Sequence, residues 1–170
     1  MPLLEDREEA GALRPSWGEI DLDALDANLA RVRRRVAPAG VLVVIKADAY
    51  GHGASQVALA LEQAGIDWLG VAMVEEGAEV RRAGVRAPIL MLGPIRREQL
   101  PLVRRYQLTP AVSSLEQLEA WLDWCASSSN PQQIHLKVDT GMRRLGIELD
   151  SVPRALALIR AQPLLHLTGV

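Results

Sequence analysis

Two stretches of the chain combine reactive side chains with the residues that would hold them at the end of a strand. In the first, Val41-Leu42-Val43-Val44-Ile45 runs into Lys46, and Ala47-Asp48-Ala49-Tyr50-Gly51-His52-Gly53 follows. A short aliphatic, β-branched run bounded by turn residues reads as a strand buried on both faces, as in a parallel sheet. The C-terminal ends of such strands are where α/β folds keep their chemistry. A lysine there sits in a partly desolvated mouth, which favours the neutral amine and suits it to a Schiff base with an aldehyde. The glycines of the turn leave room for close approach of backbone to a ligand. Tyr50 could turn its hydroxyl towards a phosphate. On spacing alone, a lysine that snorkels from the rim of the sheet ahead of a glycine-rich turn is the competing reading.

The second stretch is His135-Leu136-Lys137-Val138-Asp139-Thr140-Gly141-Met142-Arg143-Arg144-Leu145-Gly146. Alternation along a strand predicts Ile134, Leu136 and Val138 on one face and His135, Lys137 and Asp139 on the other. Ionisable groups inside a small barrel are costly unless they are paired and in use. An edge strand with one wet face is the alternative. Arg144 follows just past the strand end, within reach of a ligand in the same mouth. His52 and His166 have no second ligand at a metal-binding spacing, so no metal site is expected. Cys125, beside Trp121 and Trp124, reads as packing.

Composition narrows the classes. Of 19 basic residues, 17 are arginine, and the two lysines are Lys46 and Lys137. A site that needs an amine able to lose its proton cannot use arginine, whose guanidinium stays protonated. The chain has 170 residues, 49% of them hydrophobic and 24% charged, which suits one globular core. A net charge of −2 gives no support for nucleic-acid binding. No apolar run approaches a membrane span. The single cysteine, together with a polar start lacking a signal-peptide core, fits a cytoplasmic location. No P-loop or dinucleotide fingerprint follows any strand.

The elements that must position these residues alternate regularly. Residues 1–14 read as a flexible leader, and residues 15–22 as an extended segment running into an amphipathic helix over 22–36. Strands are predicted at Val41–Ala47, Trp68–Met73, Pro88–Gly93, Leu108–Ser113, Ile134–Asp139 and Leu165–Val170. Helices are predicted at Ala54–Ala64, Val74–Ala83, Arg96–Tyr106, Ser114–Ala126 (capped by Ser114) and Val152–Ala161. This is (βα) repetition, expected to give a parallel sheet with helices outside, either doubly wound or barrel-like. A complete (β/α)8 barrel takes eight strands and about 250 residues, so about six βα units would be an incomplete TIM-type barrel.

The Val44-to-Gly53 and Lys137-to-Gly146 motifs together resemble those of alanine racemases, which depend on pyridoxal phosphate. Trp17-Gly18-Glu19-Ile20-Asp21-Leu22 and Pro88-Ile89-Leu90-Met91-Leu92-Gly93 are similar to that family too, and the match runs in order from about residue 15 to 170. The resemblance implies an N-terminal part of a pyridoxal-phosphate barrel over residues 15–170. Lys46 would hold the cofactor as an aldimine and act as one catalytic base. Tyr50 and Leu92 would contact the cofactor, and Arg144 would touch both the cofactor and the substrate carboxylate. Lys137 would be an N-carboxylysine that fixes Arg144. The reaction implied is interconversion of L- and D-alanine by two-base proton transfer, supplying D-alanine for peptidoglycan, in a homodimer.

The same resemblance places the second base, a tyrosine, on a C-terminal β domain reaching over from the partner subunit. Residues 15–22 would dock on that domain. The chain on its own is therefore expected to racemise little and to leave the edges of its sheet unpaired. A carrier protein that binds pyridoxal phosphate without turnover is the alternative, and a decarboxylase a more distant one.

Overall fold

The computed structural model describes residues 18–127 and 130–170 of the chain. The expected leader, Ser16 and Trp17 lie outside the described residues. Gly18 to Ile20 have no regular structure, and Asp21 caps helix α1 (Leu22–Val36), its carboxylate accepting Ala24 N at 2.9 Å.

Six strands and the helices between them follow. They are β1 (Leu42–Val44), α2 (Ala54–Gln63), β2 (Trp68–Val71), α3 (Val74–Arg82), β3 (Ile89–Met91), α4 (Leu100–Arg105), β4 (Thr109–Val112), α5 (Leu115–Ser127), β5 (Gln132–Leu136), α6 (Val152–Ala161) and β6 (Leu165–Gly169). The strands pair in the order β1-β2-β3-β4-β5-β6, every neighbouring pair parallel. A doubly wound sheet would reverse its strand order, and this one does not. The architecture is an incomplete (β/α)8 barrel, with β1 and β6 as its two edges.

Every strand is shorter than the apolar run that announced it. The chain leaves the sheet early, and the apolar residues just beyond are unequally covered, Met73 after β2 being 55% exposed. Ile45, past the end of β1, is 1% exposed. The helix expected over Arg96–Tyr106 is a 3-10 turn (Arg97–Gln99) followed by α4. Pro101 sits in the first turn of α4, where no backbone donor is required. Ser114 does cap α5, its hydroxyl accepting Gln117 N at 3.1 Å.

The helix-facing side of the sheet is the main core. Ile45, Leu69, Val71, Ile89, Met91, Val112, Ile134 and Leu136 are all at most 1% exposed, and Trp121 of α5 packs into the same cluster. At the opposite end of the strands from Lys46, two side chains tie the loops. Glu62 accepts Arg86 N and Ala87 N at 2.6 and 2.5 Å. Arg81 donates to the carbonyls of Val85, Ala87, Tyr106 and Gln107. Burial lowers the Arg81 pKa from its usual value, and Glu62 opposes the shift.

Candidate active site

Lys46 opens a tight coil over Lys46–Gly51, set directly on the C-terminal end of β1 rather than within the strand as expected. The coil is left-handed: Ala47, Asp48, Ala49 and Tyr50 have φ of 52°, 53°, 52° and 56°. Each non-glycine residue held this way costs roughly 1–2 kcal/mol, and such segments persist only where the surroundings over-determine them. The restraints are visible. Ile45 N donates to Gly70 O at 2.8 Å, continuing the β1–β2 ladder past the strand end. Ala47 N donates to Glu76 Oε1 at 2.7 Å. Asp48 Oδ1 accepts Ala54 N at 2.6 Å, fastening the coil to the start of α2. His52 Nδ1 lies 2.8 Å from Ala49 O, which ties the ring to the coil it follows.

Lys46 is half-buried and has no ion-pair partner among the described residues. Its Nζ lies 6.0 Å from the centroid of the Tyr50 ring, and Tyr50 is 60% exposed. The coil thus brings amine and phenol together at the open end of the sheet. Leu92, just past β3, is half-buried on the inner face beside Gly70, where a Cβ would meet its methyl group at 3.3 Å.

The second motif is arranged differently from the expectation. β5 ends at Leu136 and the ladder runs one residue further, Lys137 N donating to Val112 O at 2.8 Å, so of the three groups His135 and Lys137 oppose the buried Ile134 and Leu136. Asp139 does not join them inside. Its carboxylate turns into its own loop and accepts Gly141 N at 2.8 Å and Arg143 N at 3.0 Å. These backbone donors hold the carboxyl below the usual carboxylate range. The loop order they provide is present above that range and is lost as pH falls through the depressed value. Val138 and Ile147 close the loop as a parallel bridge, and a Cβ on Gly146 would lie 2.5 Å from Asp139 N.

The three ionisable groups are therefore not paired with one another. His135 packs on Trp68, with ring centroids 5.3 Å apart, and its Nε2 is buried without a partner among the described residues. Burial pushes its pKa down, favouring the neutral ring. Arg144 is exposed, with no acceptor among the described residues, on an open cleft of about 930 Å³ that Ser113, Gln117 and Asp139 also line. That cleft does not extend to Lys46, although both motifs stand at the same end of the sheet.

Of the remaining expectations, Cys125 is buried in the core, where burial pushes its thiol up and Arg104 opposes the shift. No helix among the described residues is long and apolar enough to cross a membrane. Sequence reasoning missed Glu76. Its signal was a carboxylate three residues into the helix that follows β2, the spacing at which a side chain returns to its own N-terminus.

Lys46 and Tyr50 thus share one mouth at the end of β1, and Arg144 stands on a separate cleft beside β5, neither cation holding an ion-pair partner among the described residues. Comparisons with known proteins identify the family. The alanine racemase of a Synechocystis species is 40% identical over 157 residues, covering 91% of this chain and 42% of that protein. The alanine racemase of Clostridium difficile 630, in complex with cycloserine, matches with a TM-score of 0.85 at 36% identity, covering 92% of this chain and 43% of that one. The Bartonella henselae alanine racemase, with covalently bound pyridoxal phosphate, matches with a TM-score of 0.76 at 29% identity over 81% of this chain and 40% of that one. The chain spans about two fifths of the length of these relatives. Residues 20–170 match the family described as alanine racemase, N-terminal domain, and with the incomplete barrel and its lysine-bearing mouth they show that this chain belongs to that family.

Proposed function

We propose that this chain is the part of an alanine racemase that anchors pyridoxal phosphate and carries one of the two proton-transferring groups. The observation that carries the reading is the placement of the two lysines of the chain, each just past the C-terminal end of a strand of one parallel sheet and neither paired with a carboxylate among the described residues. When bound, pyridoxal phosphate supplies an electron sink for the charge left at the substrate Cα.

Lys46 holds the cofactor through Nζ and moves a proton to and from one face of that carbon. Tyr50 offers its hydroxyl to the phosphate, and Leu92 bounds the cofactor from the inner face of the sheet. Arg144 binds the substrate carboxylate and the cofactor's phenolic oxygen. Lys137, carboxylated by carbon dioxide with loss of a proton, gives a carbamate whose negative charge orients the Arg144 guanidinium. The remaining base comes from a partner subunit in a homodimer, and the product D-alanine serves peptidoglycan synthesis in the cytoplasm.

The test is to add pyridoxal phosphate, reduce with borohydride and map the modified peptide by mass. The label belongs on Lys46, and a label placed elsewhere refutes the cofactor assignment. Exchange of D- and L-alanine then separates a racemase from a carrier. It is expected to be weak for these 170 residues alone and restored in a chain that includes a β domain of the family.

A further inference from the structure

Glu76 does more than a helix cap requires. A glutamate at the third position of a helix needs only to satisfy the amide of the cap residue, and Oε2 does so, accepting Met73 N at 3.0 Å. The same oxygen also takes Ala72 N at 2.7 Å, so it holds the whole turn between β2 and α3. Oε1 leaves that turn altogether and accepts Ala47 N at 2.7 Å, a residue 29 positions earlier in the chain.

Ala47 is the residue after Lys46 and the first of the four left-handed ones. The residue before the lysine, Ile45, is held by the sheet through Gly70 O. Lys46 therefore sits between two fixed amides, one tied to the sheet and one to the Glu76 carboxylate. Without the second tie, the strained coil is free to relax at its first residue, and the amine moves with it.

We propose that Glu76 is a positioning residue for Lys46: its carboxylate holds the peptide that follows the lysine and so sets the direction in which the ε-amine enters the mouth of the sheet. The proposal rests on the reading of Lys46 as the cofactor anchor.

The test compares Lys46 with Lys137, the only other lysine, which serves as an internal reference in degassed, bicarbonate-free buffer where its amine stays free of carbon dioxide. The chain is mixed with pyridoxal phosphate, so that amine and aldehyde condense with loss of water. Borohydride then delivers hydride to the former aldehyde carbon while solvent supplies a proton to nitrogen, leaving a stable secondary amine. The readout is the ratio of labelled Lys46 peptide to labelled Lys137 peptide, with a melting temperature for each variant.

Glu76→Ala is expected to lower the ratio about tenfold, equivalent to ~1.4 kcal/mol, the scale of a hydrogen bond to a charged group. Glu76→Gln keeps the length and one acceptor, and a smaller fall of about threefold is expected from its halved acceptor set. Glu62→Ala is the control, because Glu62 also accepts two backbone amides but at the opposite end of the sheet. It should lower the melting temperature and leave the ratio unchanged.

If Glu76→Ala and Glu76→Gln melt lower but keep the wild-type ratio, Glu76 is only a cap and the proposal is overturned. A ratio that falls equally in Glu62→Ala overturns it too, since the effect is then general loosening. A wild-type chain that shows no preference for Lys46 refutes the cofactor reading itself, and the proposal falls with it.

Discussion

Ile134 and His135 are consecutive on β5, yet the sheet treats them in opposite ways. Ile134 faces the helices and is 0% exposed, in a core where every central strand contributes residues equally well covered. His135 faces the barrel interior, half-covered by Trp68 and with a ring nitrogen left unpartnered among the described residues. The same contrast holds along the whole sheet. On the inner face only the centre is well covered, at Leu90, Thr109 and Ala111, while Leu42 on β1 is 37% exposed and Gln133 and His166 near the other edge are exposed. The reason is the sequence distance of the covering partner. Each strand's outer side is covered by crossover helices adjacent in sequence, so a local pattern completes it. The inner side is covered only by strands from across the barrel, which are contacts of long range.

That difference can be broken or sharpened by substitution. Trp121→Ala removes a large side chain from the helix-facing core, and the expected loss is about 3–5 kcal/mol in a urea titration. A loss below about 1 kcal/mol would mean that the outer core is not the main source of stability. Gly146→Ala places a Cβ against Asp139 N at a residue with φ of 143°. It should cost roughly 2–3 kcal/mol and abolish the hydrogen bonds that shape the Arg144 loop, visible as loss of protection at the Gly141 and Arg143 amides.

His135 sharpens the comparison through pH. Its folded-state pKa lies below that of the unfolded chain, so the unfolded state binds the proton more readily. Stability is therefore highest above the free histidine value of about 6.5 and falls as pH drops through it. Melting temperature should decline between neutral and mildly acidic pH, and His135→Phe should remove most of that decline. An unchanged slope would place the titrating group elsewhere. The smallest effect belongs to Leu42→Ala on the inner edge, expected to cost less than about 1 kcal/mol because much of the side chain is already in water. A loss comparable with that of Trp121→Ala would show the inner face to be closed in solution, by a second copy or another segment.

Much of the fold was legible in the residues. Alternating apolar runs and helical spacings placed every strand and helix, and α1 has the predicted limits because Asp21 caps it and Pro38 follows it closely. The arginine-rich composition singled out Lys46 and Lys137, and the two motifs carried the family. The strand ends were not legible, since Ile45 and Val138 are apolar whether they pair in the sheet or cover the turn beyond it.

The sequence by itself determined the order of elements and the place of the two lysines among them, because periodicity and residue chemistry are local properties. Only the tertiary structure decided that the coil after Lys46 is left-handed, that Asp139 faces its own loop, and that Glu76 reaches Ala47 across 29 residues. Each of these depends on where a hydrogen-bonding partner stands in space, and spacing along the chain does not carry that information.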